Sequence, residues 1–132
     1  MIQINASSTN LVQNLLARFE NMTAKVGVVG LGYVGLPFVV EKAKVGFHVL
    51  GFDRNPARVD QVNQGINFIG DVQDEELKDL VGKGLIKATA DMDLLGEMDV
   101  LVIAVPTPLT KNLNPDLQYI ESVTHEIAKR LQ

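Results

Sequence analysis

Apolar and polar positions alternate between two periods along the chain. Leu11, Val12, Leu15, Leu16, Phe19 and Met22 recur at helical spacing and predict an amphipathic helix over residues 10–21. Ser7, Ser8 and Thr9 offer it an N-cap, and the first eight residues are expected to be loose. Such a stripe implies a helix docked on its own domain or on a neighbouring subunit. Residues 25–30 then form a continuous apolar run through Val26, Val28 and Val29, as in a strand covered on both faces. A helix follows over residues 33–44. Pro37 is tolerated in its first turn, where N–H groups have no intrahelical acceptor, and Gly46 stops it.

The same alternation repeats. Residues 47–52 read as a second strand, and Asn55 opens a short helix to Gln64 that Gly65 ends. Residues 66–73 are a loop with an apolar middle, residues 74–81 a helix, and residues 85–89 a weak third strand. Residues 98–105 are a strong fourth strand, terminated by Pro106 and Pro108. Asp116 can cap a last helix whose apolar face is Tyr119, Ile120, Val123, Ile127 and Leu131. Strands alternating with helices predict an α/β fold with a parallel sheet and right-handed crossovers. The expected strand order is 3-2-1-4, a Rossmann-type sheet forming the first half of a doubly wound fold, with an extra N-terminal helix.

The turn from the first strand into its helix reads Gly30-Leu31-Gly32-Tyr33-Val34-Gly35, a G-x-G-x-x-G pattern. The pattern alone is weak, but four contexts agree here. A buried strand precedes it, an amphipathic helix follows it, a second strand closes the βαβ unit, and Asp53 ends that strand. Gly30 permits the tight turn, Gly32 lets backbone approach a pyrophosphate, and Gly35 lets the helix pack on the sheet. The N–H groups of Tyr33 and Val34 would face phosphate oxygens at the positive end of the helix. Asp53 would accept hydrogen bonds from ribose hydroxyls and repel a 2′-phosphate, which favours NAD over NADP. Arg54 comes next and is the residue type that holds such a phosphate, so it pulls the other way. At the end of the fourth strand, where open α/β sheets bind ligands, Pro106 shapes a turn and Thr107 can donate a hydrogen bond to the cofactor.

Composition narrows the remaining classes. With 132 residues the chain supports one domain, and 46% hydrophobic with 21% charged residues make it globular. A net charge of -4 argues against nucleic acid or a membrane surface as a partner chosen by charge. The absence of cysteine excludes disulfides, thiolate zinc sites, iron–sulfur clusters and a thiol nucleophile within the chain. No Lys or Arg precedes Arg18, so no signal-peptide n-region is present, and the apolar stretch from Val26 to Val40 is broken by glycines. A soluble, cytoplasmic protein is expected. His48, set inside the second strand, reads as a packed or edge residue, and His125 as a surface residue of the last helix. The acids Asp71, Asp74, Glu75, Glu76 and Asp79 match no metal loop and read as a helix N-terminus. No catalytic residue and no metal ligand is assigned.

The run Gly30-Leu31-Gly32-Tyr33-Val34-Gly35-Leu36-Pro37 resembles the N-terminal NAD-binding domain of the UDP-glucose/GDP-mannose dehydrogenase family. The resemblance extends through Gly51-Phe52-Asp53, through Arg58, Val59 and Asn63, through Val105-Pro106-Thr107-Pro108 and through Asn114-Pro115-Asp116-Leu117. The segments Ile69-Gly70-Asp71-Val72 and Pro106-Thr107-Pro108-Leu109-Thr110-Lys111 are most similar to the branch that oxidises UDP-N-acetylhexosamines, UDP-N-acetylglucosamine above all. The resemblance implies that Arg58 lies near the ribose held by Asp53 and that Thr107 contacts the cofactor. It also implies an alcohol oxidised twice, with a cysteine carrying a covalent intermediate. That cysteine is not in this chain.

The chain is therefore expected to be an N-terminal extension (residues 1–24) and a truncated NAD-binding domain (residues 25–132), without its substrate domain and inactive alone. UDP-sugar would be a partner only of a longer protein, for surface polysaccharide synthesis. Rival readings are a UDP-glucose 6-dehydrogenase, a hydroxyacid or hydroxyacyl dehydrogenase, and a non-catalytic nucleotide-sensing domain. An apolar edge at the fourth strand predicts a homo-oligomer.

Overall fold

The computed structural model describes residues 6–70 and 72–131. Four short strands form one parallel sheet: β1 (Val26–Val29), β2 (Val49–Phe52), β3 (Ile86–Thr89) and β4 (Val100–Ile103), in the order β3-β2-β1-β4. Val26 lies beside Val49 on one flank and Val100 on the other, so β1 is the central strand. All four residues of β1 are buried, which is why its sequence is apolar without alternation.

Helices cover both faces. On one side α2 (Gly35–Val45), α3 (Pro56–Asn63) and α4 (Asp74–Gly82) enclose Val28, Leu36, Val39, Val62, Leu77 and Ile86. On the other side a 3-10 turn (Met92–Glu97) and α5 (Gln118–Ala128) cover Val29, Phe52, Leu95 and Val123. The sequence pattern predicts every helix but omits this 3-10 turn, which is short and carries Gly96. Asp91 caps it, accepting a hydrogen bond from the Asp93 N–H.

Element ends follow local chemistry. Gly46 caps α2 with φ of 117°, a left-handed conformation that a side chain would strain. Asn55 caps α3 by accepting from the Ala57 N–H at 3.1 Å, with Pro56 in the first turn. Asp116 accepts from the Gln118 N–H at 3.0 Å where α5 begins, close to its expected role as cap. His48 is exposed and precedes β2 rather than lying inside it, and its Nδ1 sits 3.3 Å from the Gly84 carbonyl oxygen. His125 is exposed on α5.

The N-terminal helix α1 (Ala6–Glu20) starts earlier than the pattern predicts, so Ser7, Ser8 and Thr9 lie within it instead of capping it. Of the eight residues expected to be loose, 1–5 fall outside the described residues. The C-terminal end of helix α1 is fastened to the domain. Phe19 meets Phe47 edge to face, and Arg18 reaches Asp99 at 2.6 Å, while Leu11, Val12 and Leu16 stay exposed. Asp99 also accepts from the Lys25 N–H at 2.8 Å, tying the entry of β1 to that of β4. Arg130 joins α5 to the 3-10 turn through Asp93 at 2.8 Å and pairs with Glu126 at 2.9 Å. Lys129 and then Arg130 hold the Glu126 carboxyl below its ordinary range. Asp74, Glu75 and Glu76 occupy the first turn of α4, where acids favour the helix dipole, and Asp71 lies outside the described residues.

The β1–α2 turn is the tightest point of the fold. A Cβ on Gly35 would sit 1.6 Å from the Gly30 carbonyl oxygen, whereas one on Gly32 would meet only Arg58 Nη1 at 3.6 Å. Gly35→Ala is therefore expected to lower stability by about 3 kcal/mol or more, because backbone must move. Gly32→Ala should stay within about 0.5 kcal/mol of the unaltered chain. Urea unfolding of the two variants checks the contrast, and equal losses would contradict it.

Candidate functional site

Parallel strands bring all their C-terminal ends to one edge of the sheet, and the candidate residues gather there. The chain leaves β1 at Gly30, whose φ of 100° is one that only glycine adopts without strain. Backbone contact would also bar a side chain, since a Cβ here would lie 2.5 Å from the Ala104 carbonyl oxygen just beyond β4. Gly30 donates its N–H to the Phe52 carbonyl at 2.8 Å, and Ala104 donates to Val29 at 2.8 Å. The turn, the end of β2 and the end of β4 are thus fastened together at one point.

Tyr33 and Val34 are exposed at 76% and 67%. Their side chains point to solvent while their backbone opens α2. No side chain caps this helix, unlike α3 and the 3-10 turn. The first N–H groups of a helix lack intrahelical acceptors, so this end keeps free donors and the positive end of a dipole. Gly32 leaves the space above the turn open apart from the Arg58 guanidinium.

Asp53 stands at the end of β2 with its side chain only 13% exposed. One carboxylate oxygen accepts from the Leu31 N–H at 3.0 Å and the other from the Asn55 N–H at 2.9 Å. The carboxylate is thereby locked against the glycine turn. Each of its oxygens can accept more than one hydrogen bond, so capacity for ribose hydroxyls remains. Arg58, from α3, places Nη1 3.8 Å from Asp53 Oδ2. The guanidinium next to the carboxylate is this one. Arg54 turns the other way, donating from Nη2 to Ser122 Oγ on α5 at 2.9 Å.

Pro106 and Thr107 are exposed on the loop after β4, directly beyond the Ala104 contact with Gly30. That loop makes a small excursion, with Leu109 bridged to Pro115 and Asp116 N–H donating to the Pro108 carbonyl at 2.7 Å. All of Gly30, Gly32, Tyr33, Val34, Gly35, Asp53, Arg58, Pro106 and Thr107 therefore share one end of the sheet, with Arg54 directed to its α5 side.

Sequence reasoning missed two residues that shape this end. Gly51 gives room for Leu31, whose Cδ2 would lie 2.5 Å from a Cβ there, so the glycine turn packs flat over β2. Phe68 lies under Arg58, with the guanidinium carbon 5.1 Å from its ring centre. The apolar middle of the loop was the signal for Phe68. Gly51 stands in the Gly51-Phe52-Asp53 run that carries the family resemblance, but nothing in the run marks its place under Leu31.

The residues present fit a dinucleotide: a close-approach backbone, an uncapped helix end and a fixed carboxylate on adjacent elements. Comparison with known proteins agrees. UDP-N-acetyl-D-glucosamine 6-dehydrogenase of Pseudomonas aeruginosa is 38% identical over 112 residues, 82% of this chain and 25% of that protein. UDP-N-acetyl-D-mannosamine dehydrogenase of Pyrococcus horikoshii is 33% identical over 106 residues, 80% of this chain and 25% of that protein. The crystal structure of NDP-N-acetyl-D-galactosaminuronic acid dehydrogenase from Methanosarcina mazei superposes with a TM-score of 0.76 at 27% identity. That superposition covers 89% of this chain and 28% of the other. The chain thus spans about a quarter of the length of the relatives it matches. Its residues 24–132 match the profile of the NAD binding domain, and the chain belongs to the UDP-glucose/GDP-mannose dehydrogenase family.

Proposed function

We propose that this chain is the cofactor-binding part of an NAD-dependent nucleotide-sugar 6-dehydrogenase whose substrate is a UDP-N-acetylhexosamine, and UDP-N-acetylglucosamine in particular. Residues 1–24 act as an extension and residues 25–132 as the NAD-binding domain, with sugar binding and covalent chemistry supplied from outside them. The observation that carries the cofactor role is the Asp53 carboxylate held 3.0 Å from the Leu31 N–H, beside the open face of Gly32. The backbone of Tyr33 and Val34 would hold the pyrophosphate, Asp53 and Arg58 the adenosine ribose, and Thr107, in the turn that Pro106 shapes, the cofactor on the β4 side. NAD supplies a hydride acceptor when bound. This chain's residues bind and orient that acceptor, and with no cysteine they offer no thiol for a covalent step.

Support for an N-acetylhexosamine comes from Ile69-Gly70-Asp71-Val72 and Pro106–Lys111. It also comes from relatives named for N-acetylglucosamine, N-acetylmannosamine and N-acetylgalactosaminuronic acid. The glucosamine assignment rests on the two segments. The uronic acid product suits surface polysaccharide synthesis. Among the described residues no helix is long and apolar enough to cross a membrane.

Titration of NAD against the chain should show binding that weakens about ten- to hundredfold in Asp53→Asn, the range of a lost charge-assisted hydrogen bond. NADP should bind more weakly than NAD to the unaltered chain. Equal NAD affinity in both proteins would remove Asp53 from the site. Mixed with NAD and each of the three UDP-N-acetylhexosamines, the chain should produce no NADH fluorescence. Sugar oxidation by these residues alone would contradict the division proposed. A coding sequence that continues past Gln132 into a cysteine-bearing segment supports the dehydrogenase, and its expressed product should oxidise UDP-N-acetylglucosamine fastest of the three.

Self-association is part of the same proposal. Among the described residues strand β4 pairs only with β1, its residues are half-buried, and Ile103 is 38% exposed. Such an edge invites pairing. Sedimentation at high concentration should show a dimer or larger species, and a clean monomer would count against it.

A further inference from the structure

We propose that Phe68 is a positioning residue that holds the Arg58 guanidinium across the mouth of the ribose site, so that NAD affinity depends on the Phe68 ring. This inference rests on the cofactor reading above. Arg58 is 38% exposed at its side chain and lies 3.8 Å from Asp53, too far for a direct hydrogen bond. That ion pair by itself does not fix the guanidinium, since an exposed pair contributes little and leaves a long side chain free to rotate. In the structure the guanidinium lies near both Asp53 and the open face of Gly32. The contact from below is the Phe68 ring, 5.1 Å from the guanidinium carbon, within the range of a cation over an aromatic face.

Phe68 is itself held. It is partly buried and packs against the core beneath α3 and α4. On one side of it Asn67 accepts from the Ile69 N–H at 2.8 Å and donates its amide to the Val72 carbonyl. Val72 is 5% exposed and part of that core. The ring is therefore a fixed shelf, and Arg58 is the mobile group resting on it. A second lock comes from α3, whose Asn55 cap sets the helix that carries Arg58. Removing the π face while keeping bulk should release Arg58 and leave the fold intact.

The test is a double-mutant cycle on the 132-residue chain, read by NAD titration. Phe68→Leu should weaken NAD binding about three- to tenfold, and Phe68→Tyr, which keeps the ring, should restore affinity. In an Arg58→Gln background, Phe68→Leu should change NAD affinity by less than about twofold, because the partner is already gone. Urea unfolding of Phe68→Leu separates the effect from folding, and a loss of affinity in proportion to stability would overturn the proposal. An equal loss from Phe68→Leu in both backgrounds would also overturn it, since the ring would then act on the cofactor or the loop without Arg58. Absence of NAD binding by the unaltered chain would instead overturn the cofactor reading, and this one with it. The arginine side-chain NMR signals offer a readout without cofactor. The Arg58 resonance should show a ring-current shift that disappears in Phe68→Leu and persists in Phe68→Tyr.

Discussion

The close approach of three backbones at the glycine turn governs the rest of the molecule. Gly35 lies so near the Gly30 carbonyl that no Cβ fits, and a Cβ on Gly30 would lie 2.5 Å from the Ala104 carbonyl oxygen. This contact sets how deeply α2 seats on the sheet, and it brings the exit of β4 against the exit of β1. In an open α/β sheet that is the place where the connections diverge to opposite faces, leaving a crevice. Here α2 goes to one face, while the chain after β4 crosses to α5 on the other. The seating of α2 and the joining of the β1 and β4 exits are therefore set by the same glycines that shape the turn.

Asp53 connects this geometry to chemistry. Its carboxylate accepts from the Leu31 N–H inside the glycine turn and from the Asn55 N–H that leads into α3. A group with both contacts cannot swing away, so any ribose that reaches it finds an acceptor already oriented. The cost of ordering the side chain is met during folding, which is the kind of preorganisation that raises affinity wherever a ligand binds. The same carboxylate draws Arg58 toward the turn, and Phe68 supports that arginine from the core side.

Much of this was legible from residue order. The alternation of buried runs and amphipathic stretches specifies the parallel sheet and its order, because a strand buried on both faces must be apolar throughout. The glycine pattern and Asp53 mark the site because backbone approach and a strand-end acid leave residue-type signatures. The unread parts depend on side chains meeting at long separation. Asn63 uses its amide to satisfy both the N–H and the carbonyl of Ala88 on the edge strand β3, at 2.8 and 2.9 Å. Nothing in its local sequence separates that role from an ordinary helix-end asparagine. Asp99 fastens Arg18 and Lys25, far away in sequence, and the 3-10 turn shows its purpose only in Leu95, which fills the second core. Arg54 reads from residue type as a holder of a 2′-phosphate, and Arg58 comes near the ribose through the family resemblance alone. Only the fold shows that one faces Asp53 and the other Ser122.

The two faces of the sheet differ in what they leave for other surfaces. The face under α2, α3 and α4 holds the larger core, and its outer helices are polar and charged, with Lys44 bridging Glu41 and Glu76. The Lys44 ammonium keeps its proton to higher pH than usual through the Glu76 and Glu41 hydrogen bonds, which tie α2 to α4. The β4 side is different. Leu109, Leu113, Leu117 and Tyr119 are all about half exposed or more on the loop and helix beyond β4. Clustered apolar exposure of this kind is what a surface shows where further protein is to pack. Leu109 follows Thr107 by two residues on that loop. Asp53, the glycine turn and Arg58 meet within this chain's own residues, whereas the loop and helix beyond β4 leave apolar side chains uncovered.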